Sequence, residues 1–143
     1  MNCWSHLPQP ACRNEYVSKL KRDRDPLAAI ALSTDTSALT AIGNDYGFEQ
    51  LFARQVRALG KTGDVFVGIS TSGNSSNIVN AFAAAKDLGI YTIALLGGGD
   101  GRCEKLADTI LNVPSHSTAS IQESHIMLGH IICALVESEM FFD

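Results

Sequence analysis

The feature that most constrains the fold is a strand–loop–helix unit in the middle of the chain. Residues 64–69 form a β-branched and aromatic run that is typical of a buried parallel strand. Residues 78–88 have the periodicity of a helix. Between them lies a hydroxyl-rich loop that contains Ser70, Thr71, Ser72 and Ser75. This unit predicts an α/β fold with polar side chains at the carboxyl end of one strand.

The hydroxyl-rich loop has two interpretations. Serine, asparagine and glycine are common in turns, and either Asn74 or Ser75 could simply cap the following helix. A cap needs only one such side chain, whereas several hydroxyls beside the free N–H groups of a helix start favour an anion. The loop lacks both the ending of a P-loop and a dinucleotide fingerprint. It therefore favours a small phosphorylated ligand, such as a sugar phosphate, over a nucleotide cofactor.

The rest of the chain alternates predicted strands with predicted helices. The strands are expected at 27–32, 64–69, 90–96 and 108–113. The helices are expected at 14–24, 38–43, 48–59, 78–88, 104–107 and 120–139. This alternation predicts a three-layer sandwich with a mainly parallel sheet. Residues 1–13 are expected to be an irregular N-terminal segment, because two prolines oppose a helix there, and residues 14–143 to be one domain.

Two further loops follow predicted strands. Residues 33–37 read Ser-Thr-Asp-Thr-Ser, so both hydroxyl-rich loops should lie at the carboxyl edge of the sheet and share a crevice. Residues 97–101 are a glycine-rich run that could be a second phosphate loop. The run has no hydroxyl side chains, which favours a flexible surface connection instead.

Composition and charge exclude several classes of protein. The net charge of −4 gives no support to nucleic-acid binding, and the charged run at 19–24 is either a solvated helix end or a contact to a substrate anion. No apolar segment approaches the roughly 20 residues of a membrane span, and no signal peptide is present, which predicts a cytoplasmic protein. The four cysteines lack metal or disulfide spacing, and Cys133 is expected to be a small core side chain.

The predicted last helix is apolar but carries a histidine. His130 is either a hydrogen-bonded core side chain or an acid–base group, since its pKa lies near 6.5 when unperturbed. Gln122, eight residues earlier, can face the same cleft. An aldose–ketose isomerisation beside a phosphate site would need a second proton-transfer group. Glu15 is the candidate for that role, and a solvated surface charge is its alternative.

Together these residues resemble the SIS-domain (sugar isomerase) family, in particular the phosphoheptose isomerases. The matching stretches are residues 29–37, 43–48, 68–75 and 121–123, with His125 and His130. The resemblance implies a flavodoxin-like SIS domain and an enzyme that converts sedoheptulose 7-phosphate to D-glycero-D-manno-heptose 7-phosphate for lipopolysaccharide heptose. It further implies a homotetramer with active sites between subunits, without a nucleotide cofactor, nucleic acid or membrane.

The resemblance also implies a role for each site residue. Phosphate would be held by Ser70, Thr71, Ser72 and Ser75, and the sugar by Asp35 and Gln122. The implied acid–base pair is Glu15 and His130, and in zinc-binding members Glu15, Gln122 and His130 would be ligands of one metal. The usual N-terminal portion of the family has no counterpart here, so the sheet is expected to lack its first strand. The alternative function is a non-catalytic SIS module that binds a sugar phosphate or the replication initiator protein.

Overall fold

The computed structural model describes residues 3–5, 11–99 and 101–142. Within these residues a five-stranded sheet, parallel throughout, has the order β2-β1-β3-β4-β5. The strands are β1 (Cys3–Ser5), β2 (Ala29–Ala31), β3 (Val65–Ser70), β4 (Tyr91–Gly97) and β5 (Thr109–Val113). The predicted α/β architecture with a parallel sheet is therefore confirmed.

The helices of the described residues alternate with these strands. They are α1 (Ala11–Val17), α2 (Thr36–Tyr46), α3 (Leu51–Leu59), α4 (Ser76–Asp87) and α5 (Thr118–Phe141). Two short 3-10 helices cover Phe48–Gln50 and Arg102–Lys105. The first helix stops well before the predicted residue 24. Its extension is prevented because the N–H groups of residues 20–22 donate to the carboxylate of Glu137 instead of continuing the helix.

The sheet lies between two helical layers, each with its own apolar cluster. On one face, Phe66 of β3 meets Phe82 of α4 edge-on, with ring centroids 5.2 Å apart. On the other face, Val67 of β3 packs with residues of α1 and α5. Successive residues of β3 therefore serve opposite cores, as the pleat of a strand requires. Both faces are covered, which explains why the strand has a continuous apolar sequence.

The strand at Cys3–Ser5 corrects, for these three residues, the expectation of an irregular segment at 1–13. Cys3–Ser5 pairs with β2 on one side and β3 on the other, so this short segment is an interior strand, and the sheet has a first strand at this position. Three residues are too few for a period-2 pattern, and their conformation follows from the two neighbouring strands that need hydrogen-bond partners. The two prolines lie outside the described residues, and α1 begins at Ala11.

The order of the strands fixes where a ligand can bind. The chain leaves β1 for β2 on one side of the sheet and leaves β3 for β4 on the other. Adjacent strands whose connections diverge in this way open a crevice at their carboxyl ends. The hydroxyl-rich loop follows β3 and therefore lies at this crevice.

One helix of the described residues, α5, has the length and hydropathy of a membrane span, which is weak evidence because a core helix can have the same properties. The residues of α5 that are buried against the protein are Ile121, His125, Gly129, Cys133 and Glu137. Each lies four residues after the one before it, so one side of α5 packs on the sheet and on α1.

Candidate active site

The hydroxyl-rich loop does not use the side chain of Ser75 to cap the following helix. Ser75 is the N-cap residue of α4, yet its side chain makes no capping hydrogen bond. Its Oγ lies instead 3.1 Å from the Oγ of Ser70. The N–H groups of Ser76 and Asn77, in the first turn of α4, have no acceptor within the helix. The loop thus combines hydroxyls with a helix N-terminus, an arrangement suited to an anion.

The glycine-rich segment at the end of β4 packs against the backbone of this loop. A Cβ on Gly101 would lie 2.6 Å from the Cα of Gly73, and one on Gly97 would lie 2.3 Å from the carbonyl oxygen of Thr71. The N–H of Cys103 donates to the carbonyl of Gly73 at 2.9 Å. The expectation of a flexible surface connection is therefore corrected at Gly97 and Gly101, because close backbone packing requires glycine at both positions.

A cleft of about 820 Å³ opens beside the start of α4. Among the residues that line it are Ser75, Ser76 and Arg102. The backbone N–H of Arg102 donates to the Oδ1 of Asn74 at 3.0 Å, which ties this arginine to the hydroxyl-rich loop. Arg102 was not among the predicted site residues. Its signal was a basic residue directly after a glycine run at the carboxyl end of the strand next to β3.

Asp35 lies at the carboxyl end of β2, on the same edge of the sheet as the hydroxyl-rich loop. Its Oδ1 accepts from the N–H of Ala38 at 3.0 Å, so it caps α2. Its second carboxylate oxygen makes no hydrogen bond to a described residue and remains available to a ligand. Because β1 separates β2 from β3, the two loops are about two strand spacings, or 10 Å, apart. Both predicted loops thus face one crevice without being in contact.

Glu15 and His130 form a close pair between α1 and α5. The Nδ1 of His130 lies 2.6 Å from the Oε1 of Glu15. The side chain of Glu15 is 14% exposed and that of His130 is 46% exposed, so neither a core histidine nor a solvated glutamate describes them. Because a carboxylate only accepts, Nδ1 carries the proton and the Nε2 of a neutral ring is left as an acceptor. Glu15 thus holds the imidazole of His130 in one orientation.

Arg24 and Glu137 fix the helix that carries Glu15. The guanidinium of Arg24 donates to the carbonyl of Glu15 at 2.5 Å and to that of Tyr16 at 2.8 Å, and its Nε donates to Glu137 at 3.1 Å. Hydrogen bonds from Leu20 and the two following N–H groups, together with Arg24, lower the pKa of Glu137 to about 2. Of the basic residues in the charged run, Arg24 is thus committed to the fold rather than to a substrate anion.

Two buried cysteines lie beside Glu15. The sulfur atoms of Cys12 and Cys133 and a carboxylate oxygen of Glu15 all lie within 4.8 Å of one another. The contact between the thiols lowers the pKa of Cys12 and raises that of Cys133. Cys133 is buried as predicted, but its contact with Cys12 was not predicted, because the two cysteines are far apart in the chain.

Two of the three predicted zinc ligands lie together and have suitable donor atoms. Glu15 and His130 are in contact, and the Oε2 of Glu15 is buried without a hydrogen-bond partner among the described residues. Thiolate, carboxylate and imidazole groups are all ligands of Zn²⁺. Gln122 is exposed, makes no hydrogen bond to a described residue, and precedes His130 by about 12 Å along α5. Glu15 and His130 are thus in contact, and the place of Gln122 beside them in one zinc site stays a prediction.

His125 has a structural place in the same helix. It is 1% exposed, and its Nε2 lies 3.0 Å from the carbonyl oxygen of Leu96. Since the carbonyl accepts, Nε2 carries the proton. His125 thereby fastens α5 to the end of β4, next to the glycine that supports the hydroxyl-rich loop.

Comparison with known proteins gives a consistent assignment. A family model described as SIS domain matches residues 3–97. Phosphoheptose isomerase from Sulfurimonas denitrificans is 56% identical over 129 residues, which are 90% of this chain and 66% of that protein. Phosphoheptose isomerase 2 from Campylobacter jejuni is 58% identical over 127 residues, which are 89% of this chain and 63% of that protein. The chain thus spans just under two thirds of the length of these curated relatives.

A solved structure agrees with these sequence relatives. The phosphoheptose isomerase from Neisseria gonorrhoeae superposes with a TM-score of 0.84 at 44% sequence identity. The superposition covers 96% of this chain and 76% of that chain. The fold, the sequence matches and the motifs of the hydroxyl-rich loop and of α5 all indicate the same family. The chain therefore belongs to the SIS-domain family and, within it, to the phosphoheptose isomerases.

Proposed function

We propose that this chain isomerises sedoheptulose 7-phosphate to D-glycero-D-manno-heptose 7-phosphate, in the biosynthesis of lipopolysaccharide heptose. The observation that carries the proposal is the 2.6 Å contact between His130 and Glu15. It supplies two proton-transfer groups on a chain whose relatives are named phosphoheptose isomerases. The proposal concerns the part of such an enzyme that this chain represents.

The reaction needs proton transfers at two adjacent carbons and at their oxygens. A base removes a proton from C1 of the ketose, and the electron pair left behind forms the double bond of an enediol as the carbonyl oxygen takes up a proton. Return of a proton to C2, with loss of one from the C1 oxygen, completes the aldose. His130 and Glu15 would share these transfers. The carboxylate holds the imidazole in one tautomer, so its Nε2 can act on the sugar.

The phosphate group would be bound at the start of α4. The hydroxyls of Ser70, Thr71, Ser72 and Ser75 and the helix N–H groups donate to a dianion, and Arg102 adds a positive charge at the rim. Asp35 would accept hydrogen bonds from sugar hydroxyls through its free carboxylate oxygen, and Gln122 would bind the sugar from α5. These contacts hold the substrate so that only its carbonyl end meets the acid–base pair.

A neighbouring subunit would complete the site. Ile121 contacts the position of Gly97 beside the hydroxyl-rich loop, whereas His130 lies about 13 Å farther along α5. Within one protomer the loop and the pair are thus well separated. Exposed apolar side chains follow one side of α5 near His130: Met127, Ile131 and Leu135 are 58%, 46% and 59% exposed. We propose that a second copy covers this stripe in a homotetramer and brings loop and pair together.

Zinc and a cytoplasmic location are part of the same proposal. Glu15, Gln122 and His130 would hold the zinc ion, which when bound would supply a Lewis acid for a carbonyl oxygen. The net charge of −4 and the alternative explanation of the apolar α5 as a subunit interface support a protein that acts away from nucleic acid and membranes.

The test is conversion of sedoheptulose 7-phosphate by the purified protein, followed by NMR with and without added zinc. Wild-type protein should turn over substrate, and His130→Ala should abolish turnover without loss of the folded state. His116→Ala is the matched control, because His116 is the other exposed histidine of the described residues and has no role in the proposal, and it should keep wild-type turnover. Ser72→Ala should weaken phosphate binding. Binding of the sugar phosphate by wild-type protein without any turnover would identify a non-catalytic SIS module instead.

A further inference from the structure

The helix that carries Glu15, α1, is anchored to α5 at two points. At the first point the carboxylate of Glu15 meets the Nδ1 of His130 at 2.6 Å. At the second point Glu137 accepts hydrogen bonds from Arg24 and from the N–H groups of residues 20–22, just after α1. His130 and Glu137 are seven residues, or about two turns, apart on α5, so they project from nearly the same side of it. Two contacts about 10 Å apart fix both the position and the direction of α1 along α5.

The side chain of Arg24 joins the backbone of Glu15 to α5. Arg24 is 3% exposed in its side chain, and each of its three nitrogens has a partner. Its Nε donates to Glu137, and its two terminal nitrogens donate to the carbonyl oxygens of Tyr16 and Glu15. A rigid guanidinium fork makes such bonds in several directions at once, whereas the compact ammonium of lysine does not reproduce them.

The position of α1 depends on these contacts more than the rest of the fold does. A helix of seven residues is unstable by itself. The larger apolar cluster lies on the other face of the sheet and includes none of the described residues of α1. Loss of the contacts of Arg24 and Glu137 should therefore loosen α1 locally while the sheet stays folded.

Glu15 determines which nitrogen of His130 carries the proton. A carboxylate that accepts from Nδ1 keeps the proton there and leaves Nε2 as an acceptor. A displacement of Glu15 by about 1 Å would lengthen the 2.6 Å contact to about 3.6 Å, which is no longer a hydrogen bond. The ring would then favour the proton on Nε2, as a free histidine side chain does, and Nε2 could no longer accept a proton from the sugar.

We propose that Arg24 and Glu137 are positioning residues of the isomerase, which hold Glu15 against His130 and so fix the tautomer of the imidazole. Their side chains are 3% and 5% exposed, so they act through Glu15 and not on the substrate. Loss of either should lower kcat by about 10- to 100-fold, the effect of a misplacement of about 1 Å. KM should stay unchanged, because the hydroxyl-rich loop lies beside the first turn of α5. The effect on kcat rests on the proposed function, whereas the effect on the tautomer does not.

The experiment compares Arg24→Lys and Glu137→Gln with the wild-type protein. Arg57→Lys is the matched control, because it is the same exchange at an exposed position of α3. Nitrogen-15 NMR of the metal-free protein, at a pH where the ring is neutral, shows which nitrogen of His130 carries the proton, and His130→Ala identifies the signals. Wild type and control should have the proton on Nδ1, and the two positioning variants should shift it toward Nε2. Steady-state kinetics with sedoheptulose 7-phosphate should show the fall in kcat in the same two variants, and thermal unfolding shows that they are folded.

Three results would overturn the proposal. The wild-type ring could carry its proton on Nε2, or both folded variants could keep the wild-type tautomer or the wild-type kcat. Global unfolding of both variants would also overturn it, since the two residues would then serve the fold alone. A wild-type protein without turnover would refute the proposed function instead. The tautomer would still decide the positioning role in that case, and a shift of the proton in the variants would support it.

Discussion

Substitution of Gly101 by alanine should damage substrate binding from outside the ligand-binding loop. The Cα of Gly73, in the hydroxyl-rich loop, lies 2.6 Å from where the new Cβ would be, and the Gly73 carbonyl carbon and oxygen lie 2.9 Å from it. All three are backbone atoms, so no side chain can rotate away. The two backbone segments must separate by about 0.8 Å to reach the 3.4 Å at which ordinary contact begins.

The size of the effect follows from that displacement. Overpacking of this kind costs about 1–3 kcal/mol of folding free energy. A misplacement of about 1 Å in a positioning element can cost about 100-fold in rate, so kcat/KM should fall by roughly 10- to 100-fold. The loss should appear mainly as a raised KM, because Gly73 belongs to the proposed phosphate loop and not to the Glu15–His130 pair.

The assay is steady-state turnover of sedoheptulose 7-phosphate, with thermal unfolding measured in parallel. Gly43→Ala is the matched control, since Gly43 lies inside α2 and its Cβ would lie 3.6 Å from Leu51 of α3, an ordinary contact. The control should keep wild-type kinetics and be equal or higher in stability, because alanine favours a helix over glycine. If Gly101→Ala and Gly43→Ala had the same KM, the packed-support interpretation of the glycine segment would be refuted.

Three further predictions concern single charges and the apolar stripe. The pKa of Glu137 is about 2 in the folded chain, against 4.5 ordinarily, so its stabilising effect should be complete above pH 4.5 and lost between pH 4.5 and 2. Chemical unfolding of Glu137→Gln should therefore show lower stability at neutral pH and a flatter acid dependence; an unchanged acid dependence would contradict this. Arg102→Gln should raise KM about 10-fold and leave kcat unchanged, as measured by steady-state kinetics over a range of substrate concentrations. A 10-fold fall in kcat with KM unchanged would argue against a phosphate contact. Leu135→Glu should dissociate the oligomer, which light scattering would detect as a lower molar mass. A monomeric wild-type protein would contradict the proposed interface on α5.

Local patterns made most of the fold predictable. The strand at 64–69 and the following helix differ from β3 and α4 by one or two residues, because a buried apolar run and a helical period are written in consecutive residues. The hydroxyl-rich loop was predictable for the same reason. Its four hydroxyls are neighbours in the chain, and their position at the end of a parallel strand follows from the alternation of elements.

Contacts between distant residues could not be read in this way. Glu137 binds the N–H groups of residues 20–22, more than a hundred positions away, and so ends α1 early. Cys12 and Cys133 meet for an equally nonlocal reason. The interior strand Cys3–Ser5 depends on two neighbouring strands rather than on its own residues. In each case the residue that determines the conformation is too far away in the chain to belong to the same local sequence pattern.

Glu15 shows why these nonlocal contacts decide the chemistry. A helix of seven residues such as α1 is unstable by itself, so its position has to come from tertiary contacts. The guanidinium of Arg24 donates to the carbonyl groups of Glu15 and Tyr16 near the end of α1, and also to the carboxylate of Glu137 in α5. These hydrogen bonds fix the position of Glu15 along α5, opposite His130. The Glu15–His130 contact, and the thiols on either side of it, therefore depend on the docking of α1 onto α5. Loss of the Arg24–Glu137 link would separate the pair even though neither of its members is altered.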